Sequence, residues 1–144
     1  MTNIDMLKLI FERQARLQKE SFGVEPHLLD PVAKAEYIAM MNLALQDELH
    51  EALAECGWKP WAKSRHVNQL SFGSELVDAL HFLVNLWLAI GWNADDVFEV
   101  YKKKAEINAA RQLHGYDGVS GKCKTCKRAL DDDGVSCTES SCSA

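Results

Sequence analysis

The sequence predicts an all-α bundle of four helices followed by a small cysteine-rich, zinc-ribbon-like tail. Apolar residues recur at helical spacing in four segments, and no segment before residue 120 alternates apolar and polar residues as a half-buried strand does. Four of the five cysteines follow residue 120. A chain of 144 residues can build one sizeable core and a small appendage. We therefore assign residues 1–118 to a helical domain and 119–144 to the tail.

The composition limits the classes of partner. Lys and Arg total 16 against 21 Asp and Glu, and the net charge of −5 argues against a protein that coats nucleic acid. The N-terminus lacks a basic segment followed by an apolar run, and the longest apolar stretch is too short and too interrupted to span a bilayer. We expect a cytoplasmic protein with neither nucleic acid nor membrane as a partner.

The first two predicted helices carry few but specific signals. Helix one covers residues 3–21, with Gly23 just past its end. Gln14 and Gln18 lie one turn apart on it, and this spacing alone favours two surface glutamines. Helix two runs over residues 31–56, because Asp30-Pro31 offers a cap followed by proline at the first helical position. Its predicted core stripe consists of Ile38, Met41, Leu45, Leu49, Ala52 and Cys56.

The third helix begins near Ser71 or Ser74 and ends at Gly91. Its residues from 75 to 90 are almost all apolar, which predicts burial on nearly all sides. The exceptions, Glu75, Asp78, His81 and Asn85, fall on or beside one face.

Helix four runs from the predicted cap Asn93 to about His114. Its inward stripe by helical spacing is Val97, Tyr101, Lys104, Asn108 and Arg111. Three polar residues in an inward stripe are best explained by a bound anion.

Acidic residues on helices two and three predict a metal site. Glu48, Glu51 and Glu55 lie along one flank of helix two, while Asp47 and His50 point to solvent. An acidic flank alone is usually a solvated face. With the two helices packed together, however, four carboxylates converge and require a cation. Hard oxygen ligands suit Mg²⁺ or Mn²⁺, and the phosphates that share such metals would meet Lys104 and Arg111. The four carboxylates are Glu48, Glu51, Glu75 and Asp78. This combination predicts metal-assisted phosphoanhydride hydrolysis.

The segment Trp58-Lys59-Pro60-Trp61 and the cations after it form an irregular loop. Two interpretations remain open for its tryptophans. They either close the core as an aromatic lid or clamp a flat ring by stacking.

At these positions the chain resembles the all-α, dimeric dUTPases within the MazG-like nucleotide pyrophosphohydrolase superfamily. That superfamily carries Glu-x-x-Glu on one helix and Glu-x-x-Asp on the next, as do residues 48–51 and 75–78 here. Trp58-Lys59-Pro60-Trp61 is similar to its Trp-Lys-x-Trp segment. Residues 104–116 are similar to its closing Asn-x-x-Arg-Gln-x-x-Gly-Tyr block. The resemblance covers roughly residues 3–118.

The resemblance implies a homodimer that hydrolyses dUTP to dUMP and pyrophosphate with two or more Mg²⁺, or with Mn²⁺. It assigns metal binding to Glu48, Glu51, Glu75 and Asp78, with Glu48 activating the water. The implied phosphate ligands are Lys104, Arg111 and Tyr116, with Asn108 near the phosphates or the sugar. Gln14, Gln18, Trp58 and Trp61 would form the base pocket.

Two departures bear on the choice of base. The family usually has Asn where this chain has Gln18, and often Asn where it has Ala105. A relative that hydrolyses dCTP or another nucleoside triphosphate is therefore the alternative.

The tail lies outside this resemblance. Cys123-Lys124-Thr125-Cys126, the turn-like 131–134 segment, Cys137 and Cys142 resemble a minimal zinc ribbon. In a chain without an export signal, such a cluster favours a structural Zn²⁺ over disulfides.

Two other classes of protein remain as rivals. A di-iron carboxylate bundle also uses inward carboxylates, and Asp78-x-x-His81 imitates its motif. A non-catalytic zinc-ribbon adaptor on a helical stem would explain the tail but not the carboxylates.

Overall fold

The computed structural model describes residues 5–113, 115, 121–123, 125–127 and 129. Within them the chain is helical: α1 spans Met6–Phe22, α2 Pro31–Ala54, α3 Gln69–Ala89 and α4 Ala94–Leu113, with a 3-10 turn at Pro26–Leu28. In this part of the chain the only β pairing is two isolated bridges, Cys56 with Val67 and Lys122 with Ala129. The all-α prediction is confirmed. The zinc-ribbon-like tail stays a prediction.

The chain divides into two compact units, residues 1–95 and 96–144. The first unit contains α1, α2 and α3, and α2 and α3 make its most extensive helix–helix contact. The proposed boundary between residues 118 and 119 remains a prediction.

The helix ends follow local chemistry. The Asp30 carboxylate accepts hydrogen bonds from the backbone N–H groups of Val32 and Ala33, which caps α2 as predicted. Gly23 ends α1 in the left-handed conformation, at φ 66°. Asn93 caps the start of α4, where its side-chain oxygen accepts from the N–H of Asp95 at 2.8 Å. Short-range signals therefore set three helix termini.

The start of α3 lies earlier than predicted, at Gln69 instead of Ser71 or Ser74. Asn68 precedes the helix, but its side chain makes no capping bond. Its amide instead donates to the Glu55 carboxylate at 2.8 Å. The helix start is therefore fixed by the end of α2 and not by a serine cap.

The core of the first unit centres on Tyr37, Met41 and Ala89, with Phe82 and Leu86 packed against it. Phe11 of α1 stacks on Trp87 of α3, with ring centroids 5.9 Å apart. These contacts join all three helices of this unit.

Two predictions about buried faces are wrong in part. Leu49, expected in the core stripe of α2, is 46% exposed. Helix α3 is not buried on nearly all sides, because Leu76 and Val77 near its start are exposed. Val84, Asn85 and Ala89, in its second half, are buried as expected.

Taken singly, none of the described helices is long and apolar enough to cross a bilayer; only α3 and α4 counted together reach that length and composition.

Candidate active site

The structure brings three of the four predicted carboxylates into one group. Oxygen atoms of Glu48, Glu51 and Glu75 all lie within 4.8 Å of one another. Glu48 and Glu51 are one turn apart on α2, and Glu75 faces them from α3. Asp78, one turn further along α3, is exposed and does not belong to this tight group. The predicted convergence of α2 and α3 carboxylates is therefore observed, with Asp78 at its edge.

The neighbouring acidic side chains act on the charge of Glu48. Partial burial raises the pKa of its carboxyl above the ordinary value, and the negative charges of Glu51, Asp78 and Glu75 raise it further. The contribution of Asp78 indicates that its charge acts on Glu48 even though it lies outside the tight group. A carboxylate surrounded by like charges favours a proton or a cation as its partner.

Three other polar residues, Asp47 and His50 of α2 and Glu55 just after it, lie outside the acidic group. Asp47 and His50 are exposed, as expected for the far side of α2. Glu55 does not join the acidic group, because its carboxylate accepts from the Asn68 amide.

Gln14 and Gln18 are buried, with side chains 4% and 6% exposed, so the prediction of two surface glutamines is wrong. The Gln14 amide nitrogen donates to Asn85 at 2.9 Å, and its oxygen lies 2.7 Å from Nδ1 of His81. Asn85 in turn donates to the Met41 sulfur at 3.2 Å. A continuous polar chain thus links α1, α3 and α2 inside the apolar core.

Gln18 has its own fixed partner, the Tyr37 hydroxyl, which donates to its side-chain oxygen at 3.0 Å. Burial raises the pKa of Tyr37 to about 12, so the phenol is a neutral donor at physiological pH. Among the described residues, no buried side-chain nitrogen or oxygen lacks a hydrogen-bond partner. The buried amides are therefore held in defined orientations.

The tryptophan loop is closed at its base by the Cys56–Val67 bridge and by a bond from Gly57 N–H to the His66 carbonyl. A Cβ at Gly57 would collide with the Ser64 carbonyl oxygen, so the chain needs glycine there. Trp58 is 48% exposed and Trp61 is 77% exposed. Both rings are accessible at the surface of the chain, and the clamp stays a prediction.

Arg65, whose side chain is exposed, binds three backbone carbonyls of this loop. Its guanidinium donates to the backbone carbonyls of Pro60 at 2.8 Å, Gly57 at 3.3 Å and Trp58 at 3.4 Å. The planar guanidinium therefore ties the carbonyls of Gly57, Trp58 and Pro60 to a single side chain.

The predicted phosphate ligands lie in the second unit. Lys104 and Asn108 are exposed, Arg111 is half-buried, and Tyr101 is 68% exposed. Three of the five residues of the α4 stripe are therefore exposed, and its inward orientation stays a prediction. Arg111 donates to the Asn108 side chain at 3.4 Å, one turn away. Tyr116, Cys137 and Cys142 lie outside the described residues.

Tyr37 and Arg65 were not predicted as site residues, although Tyr37 positions Gln18 and Arg65 positions the tryptophan loop. A tyrosine such as Tyr37 on the core face of a helix weakly indicates a buried hydrogen-bond acceptor nearby, because a buried hydroxyl usually finds a partner. Arg65 had no signal in its spacing, because the carbonyls that it binds belong to an irregular loop.

The chain is similar to proteins of a known family. A family model described as dUTPase matches residues 6–93. The match includes the acidic group, the buried glutamines and the tryptophan loop, and it stops before Lys104.

Two curated phage proteins, each named dCTP pyrophosphatase, are similar to the chain. The protein from Enterobacteria phage T4 is 31% identical over an alignment of 143 positions, which covers 78% of this chain and 83% of the phage protein. The protein from Enterobacteria phage LZ5 is 36% identical over an alignment of 78 positions, which covers 46% of this chain and 45% of the phage protein.

A third relative, named DNA replication protein and also from phage T4, is 29% identical over an alignment of 131 positions, which covers 69% of this chain but 33% of the phage protein. No solved structure matches the chain. Because the family model matches more than half of the chain, and one relative is over 30% identical across most of both proteins, this chain belongs to the dUTPase family.

Proposed function

We propose that this protein is a Mg²⁺-dependent nucleoside triphosphate pyrophosphohydrolase that cleaves dUTP to dUMP and pyrophosphate. Membership of the dUTPase family and similarity to two dCTP pyrophosphatases support the coarser activity, pyrophosphate release from a nucleoside triphosphate. The observation that carries the proposal is the group of carboxylates from α2 and α3 within 4.8 Å of one another.

The donor set fits a hard divalent cation. Glu48, Glu51 and Glu75 supply oxygen atoms only, and no sulfur ligand belongs to the group. The raised pKa of Glu48 reflects repulsion that a bound cation would remove. Asp78 lies close enough to take part through its charge. When bound, Mg²⁺ would neutralise the triphosphate and polarise its phosphorus–oxygen bonds.

Glu48 is the carboxylate to which we assign water activation. A general base with a raised pKa takes a proton more effectively than an ordinary carboxylate does. Glu48 takes a proton from the attacking water, whose oxygen bonds to one of the two phosphorus atoms. The phosphoanhydride bond between the α and β phosphates breaks, and the bridging oxygen leaves with the phosphate that is not attacked. Lys104, Arg111 and Tyr116 would then hold the phosphates by charge and hydrogen bonds.

The base pocket would combine the buried amides with the tryptophan loop. Gln14 and Gln18 have fixed partners, so their amides offer donors and acceptors in set directions. The exposed ring of Trp58 or Trp61 would stack on the base face, an interaction of about 1–3 kcal/mol per base.

The second candidate substrate is dCTP, favoured by the names of the two phage relatives. An amide carries both a donor and an acceptor, so glutamine as a residue type suits the uracil edge and the cytosine edge equally. The residue types therefore favour neither pyrimidine over the other.

A panel of deoxy- and ribonucleoside triphosphates tests this function, with pyrophosphate and monophosphate measured for each. We expect release from dUTP, and none after EDTA removes divalent ions. Addition of Mg²⁺ should restore it. Release from dCTP alone would contradict dUTP as the substrate and select the second candidate. No release from any nucleotide, with iron-dependent absorbance instead, would favour the di-iron bundle and contradict the proposal.

We also propose that the protein acts as a homodimer. A second copy would cover apolar side chains that the single chain leaves exposed on α2 and α3, where apolar surface in contact with water is unfavourable. They include Met40, Leu43, Leu49, Leu70, Leu76 and Val77, of which Leu70 is 90% exposed.

A further inference from the structure

The segment around Cys123 and Cys126 has a specific backbone geometry that nucleotide hydrolysis does not explain. The backbone N–H of Thr125 donates to Sγ of Cys123 at 3.4 Å. The N–H of Lys127 donates to the Cys123 carbonyl at 2.9 Å. Lys122 and Ala129 then pair as an antiparallel bridge. The chain therefore turns tightly after Cys123, with one backbone N–H directed at its sulfur, and Ala129 returns to pair with Lys122.

Lys127 supports this turn with an unusual backbone conformation. Its φ of 63° is the only positive φ of a non-glycine residue in the described ranges. The left-handed region is sterically unfavourable for lysine. A residue keeps this conformation where the surrounding structure holds it there, and such positions are often found at ligand-binding sites.

These features suit a pair of metal-binding thiolates. Two cysteines separated by two residues are within the spacing at which structural zinc sites take their ligands. A backbone N–H directed at sulfur stabilises negative charge there, which favours the thiolate that a metal requires. Cys123 is buried and Cys126 is exposed, so one side of the pair faces the chain and the other faces outward.

We propose that Cys123 and Cys126 are two thiolate ligands of one structural Zn²⁺ in the tail. The sequence offers Cys137 and Cys142, which lie outside the described residues, as candidates for the remaining two ligands. Four residues separate them, which is within the ligand range for a second cysteine pair. A four-thiolate site is closed, so this zinc organises the tail and leaves no coordination position for a substrate.

The zinc content of the full-length protein, purified without chelator and measured by inductively coupled plasma mass spectrometry, tests this site. We expect about one zinc per chain, the stoichiometry of a closed four-cysteine site. The double variants Cys123→Ser/Cys126→Ser and Cys137→Ser/Cys142→Ser should each lose at least about nine-tenths of it, because two thiolates do not hold structural zinc.

Cys56→Ser is the matched control. The Cys56 thiol donates to the Leu53 carbonyl at the end of α2, so its removal should leave the zinc content unchanged. Far-UV circular dichroism of each variant verifies that the helices remain folded. Wild-type protein without zinc, or full zinc in either double variant, would overturn the proposal.

Thiol titration supplies a second readout that does not depend on activity. A mercurial reagent should release the zinc as about four thiols react, since each ligand must be displaced. Disulfide-linked cysteines found by alkylation and mass spectrometry of the protein as purified would also overturn the site. Neither measurement involves nucleotide turnover, so failure here is distinguishable from failure of the proposed hydrolase activity.

Discussion

Glu48 couples the acidic group to pH. Its raised pKa means that, without metal, the folded state is favoured when Glu48 is protonated, so this effect on stability is complete below the ordinary glutamate pKa. The stabilisation is lost as the pH rises through the raised pKa, because Glu48 then ionises among like charges. Mg²⁺ should reverse the loss, because it binds the ionised carboxylates and only the folded state gathers them.

We therefore expect Mg²⁺ to raise Tm by several degrees at neutral pH and progressively less as the pH falls through the raised pKa of Glu48. Differential scanning fluorimetry with Mg²⁺ and with EDTA over a pH series measures this. Glu48→Gln should remove most of the Mg²⁺ response. An equal Mg²⁺ response at acidic and neutral pH would contradict metal binding by this group.

Tyr37 is the buried residue with the clearest single partner. Replacing it by Phe removes the donor to Gln18 and leaves a buried amide oxygen unsatisfied, at a cost of about 1–3 kcal/mol in the free energy of unfolding. Urea denaturation at neutral pH measures the loss. Tyr101→Phe is the control, because that side chain is 68% exposed and should change stability little.

The same variant has a defined pH dependence. The pKa of Tyr37 is raised to about 12, so its contribution is complete below the unfolded tyrosine pKa of about 10 and is lost as the pH rises towards about 12. The stability difference between wild type and Tyr37→Phe should therefore shrink over this alkaline range. A constant difference would mean that the phenol is not buried as described.

At the scale of elements, the loop between α2 and α3 depends on one side chain. Arg65→Ala should remove the hydrogen bonds to three carbonyls and leave the positions of Trp58 and Trp61 less well fixed. If the loop binds the base, we expect KM to rise roughly tenfold, equivalent to about 1.4 kcal/mol, with a smaller change in kcat. Arg65→Lys should recover only part of this, because one ammonium group lacks the planar fork.

Lys63→Ala is the matched control for Arg65, since it removes a cation from the same loop without touching those carbonyls. Steady-state kinetics on the preferred substrate separate KM from kcat, and tryptophan fluorescence reports the loop directly. Equal KM values for Arg65→Ala and Lys63→Ala would show that Arg65 has no positioning role.

Helix boundaries were predictable where a single residue decides them. Asp30, Gly23 and Asn93 act within a few residues of their own position, so local sequence is sufficient. The start of α3 was misplaced because Asn68 bonds to Glu55, thirteen residues earlier. Local rules do not include such partners.

The acidic group and the buried amides differ in how far the sequence could predict them. Glu48, Glu51 and Glu75 follow from helical spacing and the packing of consecutive helices. Gln14 is buried only because Asn85 and His81, 71 and 67 residues away, satisfy its amide. Seen on α1 alone, a glutamine without a known partner belongs on the surface, and only the assembled core reverses that expectation.

At the scale of the whole molecule, the exposed apolar surface of α3 leads to a prediction about assembly. Val77→Asp places a charge on a side chain that is 54% exposed, so the single chain should fold normally. If a second copy covers this face, the charge would be desolvated in the dimer and association should weaken at least about tenfold.

Light scattering coupled to size exclusion, over a dilution series, measures this change. Lys63→Asp, which places the same charge on the exposed tryptophan loop, is the control. A wild-type protein that elutes at the mass of one chain at all concentrations would contradict the homodimer.

The central claim is that carboxylates of α2 and α3 carry out nucleotide hydrolysis, and Glu75 tests it most directly. The measurement is the initial rate of pyrophosphate release from dUTP and dCTP by wild type, Glu75→Gln and His50→Ala. We predict that Glu75→Gln falls at least about a thousandfold, as expected for loss of a metal ligand and its charge. His50→Ala, altered on the exposed side of α2, should keep most of its rate. Similar losses in both variants, or full activity in Glu75→Gln, would contradict the claim.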